Sequence, residues 1–414
     1  MTERRAVEWD QRWRVALIDP GDFTPAYDLA LANGLLDAAH EICCIGSYGF
    51  HEAGRLAFRH EHFYRGLDRP LMRQLPATLL RAAKGASHGL DMATLGKRLQ
   101  DWRPDIVHFQ WLALPSLDRL FLPRLRRSAP LVFTLHDSNP YNGTAQWIMR
   151  IGYMAVIRGA DAVIVHTAQA KERLSALGLP PERVHLLPHG LLHASGGAPP
   201  KPRLRRDDAR LCLLQFGKIR PYKGVDVLLE ALARLAPEER ARLHVKIVGK
   251  PYIETAPLQR FVNEHGLSTS VEFRFGFIDE RELGGLFAAA DAALFPYREI
   301  DASGVAMTAV AHGLPILASA IGGFHEQFQD GREARLVPPG DPVALANVLH
   351  EWARVPEMLD QLAEGMRAHR SRVPDWTEIA RRTVHVYADA RQVWMNRRVG
   401  KRGPVPELAQ RSLS

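Results

Sequence analysis

Two doubly wound parallel α/β domains are the fold this chain predicts, and three features carry the prediction. Short apolar runs bounded by Asp, Gly, Pro or His alternate with stretches of helical periodicity, the pattern of strands that pair in parallel through helical crossovers. The 414 residues exceed what one hydrophobic core supports, since single cores stop growing near ~250–300 residues. A basic, aperiodic, Gly/Pro-rich stretch from Ala194 to Arg206 separates two rounds of the alternating pattern and reads as a linker.

In the first half the strand-like runs are Arg14 to Ile18, Glu41 to Gly46, Ile106 to Gln110, Leu131 to Leu135, Ala162 to His166 and Val184 to Leu187. Each is short, apolar and closed by a turn-forming or polar residue, as buried parallel strands are. The second half repeats the scheme at Leu211 to Phe216, His244 to Val248, Val271 to Arg274, Ala292 to Phe295, Ile316 to Ala318 and Arg335 to Val337. Apolar residues at helical spacing predict helices between them at about Val225 to Arg234, Leu258 to His265, Glu280 to Ala289 and Ala344 to Trp352. One long helical pattern runs from Trp376 to about Arg398. The expected division is an N-terminal domain over 1–195, a linker over 196–206, a C-terminal domain over 207–375 and a basic tail over 399–414.

An apolar fraction of 46% and a charged fraction of 24% exclude disordered, collagen-like and coiled-coil chains. Cys43, Cys44 and Cys212 are too few to staple a chain of this size, which fits a reducing compartment. No stretch reaches the ~18–20 apolar residues of a membrane span, and Met1 to Arg14 carries acids without a signal-peptide core. A cytoplasmic protein is expected. From Arg55 to Arg127 there are 14 basic and six acidic residues, an excess equal to the chain's net charge of +8. Apolar and aromatic residues are interleaved, so this segment is either a solvated arginine-rich face or a surface that meets an anionic membrane. Nothing in it has zinc-finger spacing or an RNA-binding signature, so nucleic acid is not expected as a partner.

The sharpest chemical signal follows the run Leu211 to Phe216. Lys218, Arg220 and Lys223 fall within six residues at a strand's carboxyl end, beside Gly217 and Gly224 and ahead of a helix. Free N–H groups and the dipole at a helix start favour anions, so this is a diphosphate-sized site. It is not a P-loop, because Lys223 precedes Gly224 and Val225 follows. The second signal lies after Phe295, where Glu299 and Asp301 precede Ser303-Gly304-Val305 at another helix start. Carboxylates for hydroxyls beside N–H groups for phosphate suit a ligand made of sugar and phosphate. In the first half, His136 closes a strand facing the expected cleft, and the loop from Asp19 through Gly21 to Asp28 is fit to contact ligand or acceptor. Dinucleotide, nucleophile-elbow and metal signatures are absent from the sequence.

GKIRPYKGVDVLLEAL, PYRE, SGV, HGLPILAS, IGGFHE and LVPPGDPVALANVL stand in an order and spacing that resemble the family 4 (GT4) glycosyltransferases of the GT-B fold, most strongly from Leu211 to Leu349. DIVHFQW, LHD and LLPHG extend the likeness into the first half. The resemblance implies two Rossmann-like domains facing a cleft, with the last helix crossing back to the N-terminal domain. It also implies a nucleotide-sugar donor on the C-terminal domain, an acceptor on the N-terminal domain, and retention of configuration with no metal and no cofactor. Lys218 stands where the family has Arg, and Lys223 matches its lysine; both would contact the donor diphosphate, with Arg220 beside them. Glu299 resembles the first of two paired glutamates, and Ser303, Gly304 and Val305 lie where backbone N–H groups meet phosphate. Aligned through Gly313, the second glutamate is Thr308, nine positions on rather than eight, so either a hydroxyl replaces the carboxylate or the loop register differs. His136 resembles the cleft histidine that contacts the transferred sugar, and Asp301 and Gly21 complete the expected binding set.

The expectation is therefore a hexosyltransferase that moves sugar from a UDP- or GDP-linked donor to a glycan or lipid-linked acceptor in bacterial surface or exopolysaccharide synthesis. A GT-B epimerase or phosphorylase, or a non-catalytic nucleotide-binding module, are the alternatives. Arg119, Arg124, Arg126 and Arg127, set around Leu120, Phe121, Leu122 and Leu125, are the expected docking face for an anionic inner membrane surface.

Overall fold

Strands buried on both faces are built mostly of apolar residues, and these strands are: five of the seven in the first sheet are buried along all or nearly all of their length. The computed structural model describes residues 11–47, 57–67, 76–138, 152–193 and 210–400. The first half contains β1 (Arg14–Asp19), α1 (Pro25–Asp37), β2 (Glu41–Gly46), β3 (Arg59–His62), α2 (Ala77–Trp102), β4 (Ile106–Phe109), α3 (Pro115–Ser128), β5 (Leu131–Leu135), α4 (Tyr153–Gly159), β6 (Ala162–Val165), α5 (Ala168–Ala176) and β7 (Val184–Leu186). The second contains β8 (Leu211–Phe216), α6 (Val225–Ala233), α7 (Pro237–Arg240), β9 (Leu243–Gly249), α8 (Ala256–Glu264), β10 (Val271–Phe275), α9 (Glu280–Ala289), β11 (Ala292–Phe295), α10 (Gly304–Ala311), β12 (Ile316–Ser319), α11 (Gly322–Gln327), β13 (Ala334–Val337), α12 (Pro342–Arg354), α13 (Met358–Arg370) and α14 (Trp376–Gly400).

All pairings are parallel, in the orders β3-β2-β1-β4-β5-β6-β7 and β10-β9-β8-β11-β12-β13. This is the doubly wound α/β architecture twice over. The strand that sequence reasoning overlooked is β3, whose residues Arg-His-Glu-His carry no apolar alternation; it is an edge strand paired only with β2. Edge strands tolerate such polarity because one side has no neighbour to pack against. The linker read from the sequence lies outside the described residues, as does the basic tail beyond Gly400, where the last helix ends.

The last helix crosses back. Ile379, Ala380, Val384, Tyr387 and Ala390 of α14 are buried, most of them in one cluster with Leu31 and Leu35 of α1. Burial contributes roughly 1.5–3 kcal/mol for each large apolar side chain. Gly34 permits the approach, since a Cβ there would lie 2.4 Å from the Trp376 carbonyl oxygen. Tyr387 Oη is 2.9 Å from His108 Nδ1, and Trp394 Nε1 donates to the Arg126 carbonyl at 2.6 Å.

The docking face expected on α3 needs correction. Leu122 and Leu125 are buried in the core, and the Arg126 guanidinium pairs with the buried Asp161 carboxylate, its Nε donating at 3.1 Å. The helix is amphipathic toward its own sheet, so these three residues hold α3 down rather than face outward. Arg119, Arg124 and Arg127 remain exposed beside Leu120, which is 62% exposed. No helix among the described residues is long and apolar enough to cross a membrane.

Candidate active site

In each sheet the strand order reverses beside its first strand, with β1 between β2 and β4 and β8 between β9 and β11. Crevices open at such switch points, beyond the carboxyl ends of the strands. Hydrogen bonds crossing between the halves bring the two crevices together.

On the C-terminal side the chain leaves β8 through Gly217, then presents Lys218 exposed, Arg220 half-buried and Lys223 buried. Lys223 Nζ donates to Tyr297 Oη at 2.5 Å and lies 4.0 Å from the centre of that ring. Burial, with Lys218 and Arg220 adding repulsion, lowers its pKa to about 7. The Arg220 guanidinium lies over Tyr252 at 4.7 Å. Gly224 has φ +65, and a Cβ on it would lie 1.8 Å from the Pro296 carbonyl oxygen, so only glycine lets the β8 loop lie against the β11 loop. Arg298 stitches the two loops with a fork onto Asp226 at 2.8 and 2.7 Å and a bond to the Pro221 carbonyl at 3.1 Å. Sequence reasoning had not marked it.

Ser303 caps α10, its Oγ accepting from Ala306 N at 3.2 Å. The next backbone N–H groups, of Gly304 and Val305, belong to the first turn, where helices have no internal partners. Thr308 Oγ1 donates to the Gly304 carbonyl at 3.2 Å, so its hydroxyl can only accept from a ligand. Glu299 is exposed at the loop tip. Asp301, expected to bind ligand hydroxyls, does not present a free carboxylate. It is buried, with Oδ2 accepting from Ser138 N at 2.5 Å and Oδ1 3.3 Å from Arg173 Nη1. Both partners lie in the N-terminal half, a contact no local sequence pattern reveals.

Across the cleft, His136, His166 and His189 follow β5, β6 and β7 and surround Tyr27, whose ring centre lies 4.6, 5.4 and 5.1 Å from theirs. All three are held neutral by burial, His166 at about 3, His189 at about 4 and His136 well below the usual imidazole range. His136 stacks on Trp111, its Nε2 donating to Gln110 Oε1 at 3.0 Å, which leaves Nδ1 an acceptor. Gln110 Nε2 reaches His108 Nε2 at 3.3 Å, so the chain of contacts runs back to Tyr387 of α14. His166 turns Nδ1 to the Leu187 carbonyl at 3.0 Å, and its buried Nε2 has no partner among the described residues. Of these residues only His136 was singled out from sequence, although a histidine close behind each of three consecutive strands was a readable signal.

The Gly21 loop is ordered by Asp19, which accepts from Gly21 N at 3.3 Å and Thr24 N at 3.0 Å. The Gly21 N–H expected to meet ligand thus points at a carboxylate. Asp19 and the fully buried Asp28 lie side by side; burial raises Asp19 to about 6 and Asp28 well above the carboxylate range. Asp28, read from sequence as the end of a ligand-contacting loop, instead sits on the apolar face of α1 among Tyr27, Leu31 and Leu35. Among the described residues, no group of His, Cys, Asp or Glu is arranged to hold a metal.

The site thus sets a cationic, helix-start anion cradle against a neutral pocket of imidazole, aromatic and carboxyl groups. The sequence profile described as "Glycosyl transferase 4-like domain" matches residues 26–190, and that described as "Glycosyl transferases group 1" matches 210–354. A D-inositol 3-phosphate glycosyltransferase of Streptomyces scabiei is 30% identical over 348 residues, covering 79% of this chain and 75% of its own. The chain belongs to the GT4 glycosyltransferases of the GT-B fold. Another relative, the MMP alpha-(1->4)-mannosyltransferase of Mycolicibacterium hassiacum, is 32% identical over 231 residues, covering 56% of this chain and 54% of its own. The fold also matches that of Anabaena Alr3699/HepE in complex with UDP and glucose, with a TM-score of 0.69 at 18% identity over 91% of this chain and all of the other. As a GT4 glycosyltransferase, the protein is an enzyme.

Proposed function

We propose that this enzyme transfers a hexose, with retention, from a UDP- or GDP-linked donor to a hydroxyl of a glycan or lipid-linked acceptor, in the synthesis of a surface or exported polysaccharide. The convergence of Lys218, Arg220 and Lys223 with the capped start of α10, opposite His136, carries the reading. Departure of a nucleoside diphosphate concentrates negative charge where these groups lie, and preorganised donors of that kind are usually the largest catalytic contribution. Lys223 binds as a cation, the α10 N–H groups receive phosphate oxygens, and Glu299 orients donor hydroxyls. His136, neutral with Nδ1 accepting, positions the transferred sugar. The acceptor proton passes to a donor phosphate oxygen on the same face, because among the described residues no second carboxylate is placed for a covalent double displacement.

Relatives named for D-inositol 3-phosphate suggest a phosphorylated acceptor. The histidines of the acceptor wall, His136, His166 and His189, are held neutral and offer phosphate no charge partner, and this favours a neutral acceptor group. Membrane attachment through Arg119, Arg124 and Arg127 would place such an acceptor near the cleft. A thermal-shift series with UDP, GDP, ADP and dTDP, followed by turnover of the matching nucleotide sugars with and without hydroxyl acceptors, tests the proposal. Stabilisation by no nucleotide would refute it.

A further inference from the structure

We infer that Asp301, Arg173 and Ser138 form an interdomain latch that sets the donor loop against the acceptor wall, making Asp301 a positioning residue for transfer. The inference rests on the donor-site reading above. Asp301 Oδ2 accepts from Ser138 N at 2.5 Å, Oδ1 meets Arg173 Nη1 at 3.3 Å, and the same Nη1 donates to Ser138 Oγ at 2.8 Å. The spacing is symmetric: Asp301 lies two residues after Glu299, and Ser138 two residues after His136. Joining Asp301 to Ser138 therefore holds the two loops that carry the donor-side carboxylate and the acceptor-side histidine in one register across the cleft.

The loop is equally fixed from behind. Asp301 O accepts from Gly323 N at 2.6 Å, and a Cβ on Gly322 would lie 1.9 Å from the Ile300 carbonyl oxygen. The far end of α11 reaches the same N-terminal helix that carries Arg173. Glu326 Oε2 and Oε1 accept from Ala168 N and Gln169 N at 2.6 and 2.9 Å, at the start of α5. Helices α5 and α11 are thus joined twice, and a carboxylate at a helix start is favoured by the dipole there. Charge-assisted, buried contacts of this kind are strong only when both partners are present. Opening the domains would strand Asp301, so closure and ordering of the donor loop occur together.

Asp301→Asn keeps the size of the side chain and removes the ionic contact; Arg173→Lys and the double variant complete the set. The cradle cations lie in the C-terminal half, so nucleotide affinity by calorimetry is expected to stay within about threefold in every variant. Turnover at saturating donor is expected to fall at least about tenfold in Asp301→Asn, the scale of one oriented contact, with the double variant no worse than the single. Arg173→Lys should recover part of the rate, and small-angle scattering of the nucleotide-bound Asp301→Asn protein should show a larger radius of gyration than wild type. Unchanged turnover, losses that multiply in the double variant, or a drop in melting temperature with turnover intact would each overturn the latch. Absence of nucleotide binding to wild type would overturn the donor reading instead, and a radius of gyration unaffected by Asp301→Asn would overturn the latch independently of it.

Discussion

Nucleotide binding should draw a proton from solution, and Lys223 is the group that takes it. Its ammonium is buried beside Tyr297 with Lys218 and Arg220 nearby, and its pKa falls from 10.5 to about 7. At about 1.36 kcal/mol per pKa unit this is a destabilisation of the charged form by roughly 5 kcal/mol in the empty site. A diphosphate next to Lys223 reverses the balance, because an opposite charge within ~4–6 Å favours the ammonium. The empty enzyme is then about half neutral at pH 7 and about 90% neutral at pH 8, so binding takes up about 0.5 and about 0.9 proton respectively. The sign follows: uptake means that affinity falls as pH rises, by about fivefold from pH 7 to pH 8. Titration calorimetry with UDP or GDP in HEPES and in Tris, whose ionisation enthalpies differ, reads the number directly from the slope of observed heat against buffer enthalpy. Lys223→Met should abolish the uptake and weaken binding about tenfold or more, since a charge-assisted contact to phosphate contributes on the order of 1.5–3 kcal/mol. Zero uptake at pH 8 in wild type, or equal uptake in Lys223→Met, would refute the assignment.

Glu299→Gln is expected to fold normally and lose at least about tenfold in kcat, measured with saturating donor, because the residue is exposed and the change keeps its size. Activity is expected to survive EDTA, since lysines and helix N–H groups serve the diphosphate; loss with rescue by Mg²⁺ would argue for another mechanism. Co-sedimentation with anionic vesicles is expected to fall in Arg119→Gln/Arg124→Gln/Arg127→Gln at low salt, whereas Arg126→Gln should lower the melting temperature because it takes the nearer of two cations from buried Asp161, leaving Arg397 at 3.6 Å. Stability should decline from pH 6.5 toward pH 4.5. The folded state keeps His166 and His189 neutral down to about 3 and about 4, while the unfolded chain protonates near 6.5, so acid favours unfolding. Asp19, raised to about 6, works in the opposite direction between its ordinary value and 6, and melting curves of His189→Gln should show a shallower acid limb than wild type.

The two walls of the cleft differ in how far the sequence exposes them, and the reason is physical. In the proposed function phosphate meets groups that are neighbours in the chain: a strand end, a glycine turn, lysines and a helix start. Lys218, Lys223 and Ser303 were therefore readable one motif at a time. The other wall is assembled from the ends of β1, β4, β5, β6 and β7, so His136, His166 and His189 meet around Tyr27 only after the sheet is ordered. In sequence Asp28 reads as part of a polar loop, and its burial beside Asp19 appears only in the fold.

Asp301 shows the same division within one loop. Its position beside Glu299 and Ser303 identified a ligand-binding segment, but not whether its carboxylate meets ligand or protein. That depends on Ser138 and Arg173, which lie 163 and 128 residues away. Because the histidines of one wall are neutral and desolvated while the other wall is cationic, neither can do the proposed chemistry separately: in that proposal one supplies charge to the departing diphosphate, the other shape and hydroxyl contacts to the incoming group. Catalysis then requires that the distance between the walls be fixed. The contacts that fix it are those with the longest sequence separation, and they are the least legible before the fold is known.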